Sequence, residues 1–170
     1  MALHCPADRP ATGFSLIELL TTLAISAILL AASIPAMGSF AAHQALISAS
    51  NSLVTGLQLA RSQAISSGKP VRLCPAYDES GCADRTAWSH GWRVQSESTP
   101  LTGGLHHGQL PAHIQVSLSQ GRQHVRFLPD GRSPGTNLTL HLCSRQRASR
   151  QIIINNSGRV RSGPVSTAPC

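Results

Sequence analysis

From residue 12 to residue 36 the chain reads TGFSLIELLTTLAISAILLAASIPA, an apolar run of membrane-spanning length broken by one carboxylate, Glu18, five residues after Gly13. A carboxylate alone in hydrocarbon costs roughly 2.5–3.5 kcal/mol on insertion scales, so Glu18 needs a partner. Beyond Pro35 the pattern becomes amphipathic. Ala45, Leu46, Ala49, Leu53, Leu57, Ala60 and Ala64 recur at helical spacing, with Gln44, Ser48, Ser52, Gln58 and Arg61 on the other side. This predicts a helix with one face packed on a sheet, ending near Ser66 to Gly68, where glycine and then Pro70 supply stop signals. One long helix is expected, its first half a membrane span and its second half part of a domain core.

Downstream the period falls to two. VRLC (71–74), GWRVQSE (91–97), HIQVSLS (113–119), HVRFLP (124–129), LTLHLC (138–143) and RQIIINN (150–156) read as strands. DESG, TGG, PDGRSPG and NNSG between them carry turn residues. The fold class is α+β, an antiparallel sheet packed on a helix.

The flanks of the apolar run identify a partner for Glu18. A secretory signal places a small-residue cleavage site after its apolar stretch, whereas here the polar segment MALHCPADRPATG comes first. Cleavage between Gly13 and Phe14 would keep the helix and free an amino group one turn from Glu18, or beside the Glu18 of a neighbouring subunit. Gly13-Phe14-Ser15-Leu16-Ile17-Glu18-Leu19-Leu20 resembles the class III signal of type IV prepilins and pseudopilins. The resemblance implies cleavage after Gly13 by a membrane aspartyl peptidase, methylation of Phe14, and a role for Glu18 in filament assembly. It also matches Pro35 to the family's helix kink, although a proline there signals by itself only a bent or ended helix. The plainer alternative is a transmembrane anchor with an incidental Glu18. A lipoprotein reading fails because Cys5 precedes the apolar stretch.

Removing the 13-residue leader leaves 157 residues of the 170, enough for the membrane segment and one modest soluble domain. The net charge of +7 sits in the last third. Residues 121–170 hold Arg122, Arg126, Arg132, Arg145, Arg147, Arg150, Arg159 and Arg161 against Asp130 alone. Coding bias explains a preference for arginine over lysine as well as chemistry does, but it does not explain the clustering. Such a region attracts polyanions: nucleic acid, anionic lipid or acidic polysaccharide. Without Cys5 four cysteines remain, an even number that suits disulfides in an exported domain. Of three connectivities we favour Cys74 with Cys82, closing CPAYDESGC, and Cys143 with Cys170, fastening the tail. A zinc site is the weaker reading, since C-x7-C is wide for a zinc knuckle and no second close pair exists.

The soluble part resembles the FimT and GspH branch of minor pilins. LQLARSQAISSGKPVRLCP is similar to that branch's helix end and first strand, and SHGWRV, VRFLPDGRS and RQIIINNSGRVR are similar to its later strands. The resemblance implies a pilin-like fold, the long helix against two small sheets; periodicity alone supports only helix plus sheet. The expected organisation is a leader at 1–13, an assembly and membrane helix at 14–36, an amphipathic helix at 37–68 and a β-rich periplasmic domain at 69–170. The implied location is the inner membrane, single-pass, and then a filament at the cell surface. The implied partners are the prepilin peptidase and other pilins.

No catalytic set stands out, and no cofactor or metal is expected. His106 and His107 invite a metal reading but read more simply as exposed loop histidines near Gly103, Gly104 and Gly108. Ser89-His90-Gly91-Trp92 lacks an acidic partner and a G-x-S-x-G elbow, so it reads as the start of a strand with Trp92 in the core. The segment with functional content is Ser157-Gly158-Arg159-Val160-Arg161-Ser162. In an extended backbone Arg159 and Arg161 lie on one side, about 7 Å apart, and can address neighbouring phosphates, while Gly158 permits a turn or a close approach. Gly158-Arg159-Val160-Arg161 resembles the G-R-x-R motif associated with DNA binding in FimT-type minor pilins. That resemblance implies non-specific DNA binding in natural transformation, with Arg145, Arg147 and Arg150 as helpers. The plainer reading makes the arginines an edge-strand device against aggregation. The alternative function is a purely structural GspH-like pseudopilin of a type II secretion system.

Overall fold

The computed structural model describes residues 13–78, 81–82, 88–98, 106–135, 137–144 and 148–166. The chain divides into two compact units, residues 1–38 and 39–170. Helix α1 runs from Leu16 to Ser67 and has Glu18 in its first turn, where the partial positive charge of the exposed amides favours a carboxylate. The stretch Leu16–Ser33 is long and apolar enough to cross a membrane, by length and composition. Its large apolar side chains are exposed, Phe14 just before it at 87%. The helix does not end at Pro35; a proline there withdraws one i→i−4 bond. It stops at Ser67, followed by Gly68 at φ +63°, the left-handed conformation that glycine adopts without strain.

Among the described residues of the second unit nine strands form two antiparallel sheets. The first contains β1 (Val71–Asp78), β2 (Gly81–Cys82), β3 (Trp92–Ser96), β4 (His106–Gly108) and β6 (Val125–Phe127), in the order β2-β1-β3-β4 with β6 also paired to β1. The second runs β5-β7-β8-β9, with β5 Ile114–Leu118, β7 Leu138–Ser144, β8 Ala148–Ile154 and β9 Val160–Ser162. Alternation accounts for the second sheet. Ile114 and Val116 of β5, Leu138, Leu140 and Leu142 of β7, and Ile152 and Ile154 of β8 are buried, with more exposed residues between them. The first sheet contributes Val71, Leu73, Val94, Val125 and Phe127.

The predicted stripe of α1 completes this core. Leu46, Ala49, Leu53, Leu57, Ala60 and Ala64 are buried, and Ala45 at its margin is half-buried. Each fully buried leucine contributes roughly 1.5–3 kcal/mol of transfer free energy. Trp92 is in the core as expected, and its indole N–H donates to Ser52 Oγ of α1 (3.1 Å). Gly56 and Gly108 both press on its ring: a Cβ on Gly56 would lie 2.7 Å from the ring, and one on Gly108 would collide with it.

Four local expectations are corrected. His106 and His107 are exposed but lie in strand β4, with Val94 opposite His106, Arg93 opposite His107 and Trp92 opposite Gly108. Ser89 and His90 belong to a 3-10 turn, Trp88–His90, and not to a strand start. Strand β1 runs on past Cys74 to Asp78, so Cys74 and Cys82 lie in paired antiparallel strands, with Ala76 opposite Cys82 and Asp78 opposite Gly81. Arg159-Val160-Arg161 enters a ninth strand instead of trailing the last one. The disulfide Cys74–Cys82 is present. Cys143 is disulfide-bonded, while its expected partner Cys170 lies outside the described residues.

Gly56→Ala tests the helix–sheet contact. Alanine gains about 0.8–1 kcal/mol in helix propensity, but its Cβ meets the Trp92 ring, which is also in close contact with Gly108 and bonded to Ser52, and overpacking costs typically 1–3 kcal/mol. Thermal unfolding of a soluble fragment starting at residue 41 should show a lowered Tm; a raised Tm would mean that the ring yields.

Candidate nucleic-acid interface

The β8–β9 hairpin presents the arginine motif. Its turn, Asn155–Gly158, is tied by the Asn155 side chain, whose Oδ1 accepts from the Arg159 amide (2.8 Å) and from Ser157 Oγ (2.8 Å). Two backbone bonds close it, Gly158 N to Asn155 O (2.9 Å) and Asn155 N to Arg159 O (3.2 Å). Gly158 has φ +75°, and a Cβ there would strike the Gly131 carbonyl oxygen. The glycine therefore meets both requirements read from the sequence, the turn and the close approach.

Arg61 of α1 holds this turn from beneath. Its Nε donates to the Gly131 carbonyl (3.0 Å) and its Nη2 to the Ser157 carbonyl (3.1 Å). A backbone bond from Ser133 N to Asn156 O (3.2 Å) joins the same two turns. The helical period by itself places Arg61 only on the polar side of the helix. The available signal was its isolation, since residues 14–60 contain no lysine or arginine.

On β9, Val160 is half-buried against the core and Arg161 is exposed opposite Ile153; Arg159, just before the strand, is also exposed. The two guanidiniums thus share the outer face of the second sheet. That face carries Gln151 and Ile153 of β8, Thr139 and His141 of β7, and Gln115 and Ser117 of β5. None of its four strands contains an acid, and neither does any position from 131 to 170.

The other described arginines of the basic third each make a bond within the domain. Arg126 grips Glu97 through two 2.8 Å bonds, and Arg132 bonds Asp130 (2.6 Å). The Arg132 amide and then its guanidinium hold the Asp130 carboxyl below its usual pKa. Arg122 donates to the Pro134 carbonyl (3.2 Å). Arg150, one of the expected helpers, donates to the Gly163 carbonyl (2.8 Å) and Ser162 Oγ (3.3 Å), fastening the chain after β9. The other two, Arg145 and Arg147, lie outside the described residues. Arg159 and Arg161 are the described arginines of this region whose guanidiniums have no partner among the described residues. An exposed, unpaired guanidinium pair on an acid-free surface is suited to bidentate contact with an external oxyanion.

Residues 49–158 match the family described as Type II transport protein GspH, and residues 8–34 match the prokaryotic N-terminal methylation motif. The chain is 29% identical over 168 residues to the type II secretion system protein H of Xanthomonas campestris pv. campestris, covering 94% of this chain and 87% of that protein. The type IV minor pilin FimU of Pseudomonas aeruginosa, solved in two crystal forms, superposes with TM-scores of 0.57 and 0.59 at 23% identity, covering 70–74% of this chain and 92–93% of FimU. FimU shares the pilin-like fold. The methylation motif implies processing by a prepilin peptidase, and the apolar helix suits an inner-membrane prepilin assembled with other pilins. The chain belongs to the GspH family of minor pilins and pseudopilins, structural proteins and not enzymes.

Proposed function

We propose that this protein is a FimT-like minor pilin of a type IV pilus that binds DNA without sequence preference and contributes to its capture in natural transformation. The observation that carries this reading is the contrast among the arginines: Arg122, Arg126, Arg132 and Arg150 are engaged within the domain, whereas Arg159 and Arg161 are exposed and unpaired beside an acid-free face. Phosphate contact carries no base information. Two contacts make binding weak for one subunit, and several subunits in a filament raise it through effective concentration. In the membrane segment, Glu18 and the amino group of Phe14, freed by cleavage after Gly13, serve assembly.

A structural role as a pseudopilin of a type II secretion system is the second reading. It is favoured by the 29% identity to a type II secretion system protein H across nearly the whole chain.

Mass spectrometry of the protein from membranes should give an N-terminal, methylated Phe14; a product still beginning at Met1 would end the pilin assignment of the leader. The soluble fragment from residue 41 should retard duplex DNA in a gel at low salt, and Arg159→Ala with Arg161→Ala should remove most of the shift. Each phosphate contact contributes about −0.9 to the slope of log K against log salt, so the double variant should flatten that slope by about 2. An unchanged shift moves the DNA site elsewhere, and no shift for the wild type favours the secretion reading. Gly158→Ala keeps both arginines but forces a left-handed residue, about 1–2 kcal/mol, against the Gly131 carbonyl. It should weaken DNA retardation and lower Tm together; retardation at wild-type strength would show that the turn does not position the arginines.

A further inference from the structure

A second basic cluster lies on the first sheet and the segment before β6. Arg72 of β1 is directly opposite Arg126 of β6 and, on its other side, opposite Gln95 of β3. Like charges in directly opposed positions repel, and one carboxylate, Glu97, answers this pair by gripping Arg126. Arg72 Nε is buried and has no hydrogen-bond partner. In the segment just before β6, Arg122 and His124 add further donors. With Gln123, Arg126 and Pro134 they line an open cleft of about 410 Å³. Arg122 is fixed there by its bond to the Pro134 carbonyl, and Gly135 leaves the space its guanidinium occupies.

We infer that this cleft is a phosphate-binding site, in which Arg122, His124 and Arg126 contact the anion and the Arg72 charge beside them supports it. Among the described residues three permanent cations face a single carboxylate, so the cluster lacks negative charge. Glu97 already uses the planar fork of Arg126. The remaining donors come from β6 and from the segment before β6, and so approach from different directions. Tetrahedral oxygens meet such donors better than a second planar carboxylate does. The positive field is registered by His124, whose pKa is lowered by partial burial and then by Arg72, Arg126 and Arg122, against the opposing effect of Glu97. The site does not depend on DNA binding at Arg159 and Arg161. The phosphate can be a free ion or part of a nucleic-acid backbone.

His124 is the reporter. In the full chain in detergent micelles, labelled at histidine and assigned with His124→Gln, the ring resonance is followed against pH in phosphate and in chloride of equal ionic strength. A bound phosphate favours the imidazolium, so the His124 midpoint should rise in phosphate and not in chloride. Arg122→Ala should abolish that rise without touching the Arg126–Glu97 pair, and Arg72→Gln should reduce it. Identical midpoints in phosphate and chloride, or a rise that survives Arg122→Ala, would overturn the site. A short duplex added to the Arg159→Ala/Arg161→Ala protein separates the sources. If it moves the His124 midpoint as phosphate does, the cleft takes backbone phosphates; if only phosphate moves it, the ligand is the free ion.

Discussion

Neither sheet can cover its own inner face, and the second half of α1 is the element that covers both. The first sheet offers Val71, Leu73, Val94, Val125 and Phe127, the second Val116, Leu140, Leu142, Ile152 and Ile154, and Leu46, Leu53 and Leu57 of the helix are buried in the same cluster. Close approach at one point sets the packing. Gly56 lets the helix backbone come up to Trp92, Gly108 admits the ring from the neighbouring strand, and Ser52 accepts the indole proton. A helix with a side chain at position 56 would have to stand off, and the leucines would lose the contacts that make their burial favourable.

The same packing sorts the arginines. The basic third would repel itself if its charges were left to solvent alone, and the fold neutralises part of it with the few acids available. Glu97 is brought to Arg126 from 29 residues away, and Asp130 turns back on Arg132. Carbonyl oxygens take up Arg122, Arg150 and Arg61. Among the described residues, the charge that remains outward is confined to a few positions, which turns a diffuse compositional property into two local surfaces, one on each sheet.

Much of this was legible in the chain. The stripe from Leu46 to Ala64 has the helical period, and six strands alternate or run apolar between turn residues, so their existence followed from spacing. Strand β4 did not, because His106-His107-Gly108 has no alternation and is a strand only because β3 offers it an edge. The two residues of β2 are too few for any periodic signal. At the candidate site, the spacing of Arg159 and Arg161 and the need for glycine at 158 were readable. Which arginines would be consumed internally was not, since their partners are brought near by the tertiary fold. Arg61 is the clearest case, bonded to carbonyls 70 and 96 residues further along.

That side chain couples two elements with no strand pairing between them. Arg61 belongs to the helix, and its acceptors belong to the turns that carry Gly131 and Ser157. A helix advances 1.5 Å per residue, so slippage by a single residue stretches bonds of 3.0 and 3.1 Å beyond hydrogen-bonding reach. Sliding of this part of the helix along its own axis therefore breaks both bonds at once, so the Arg61 guanidinium fixes the register of the helix end against the two turns.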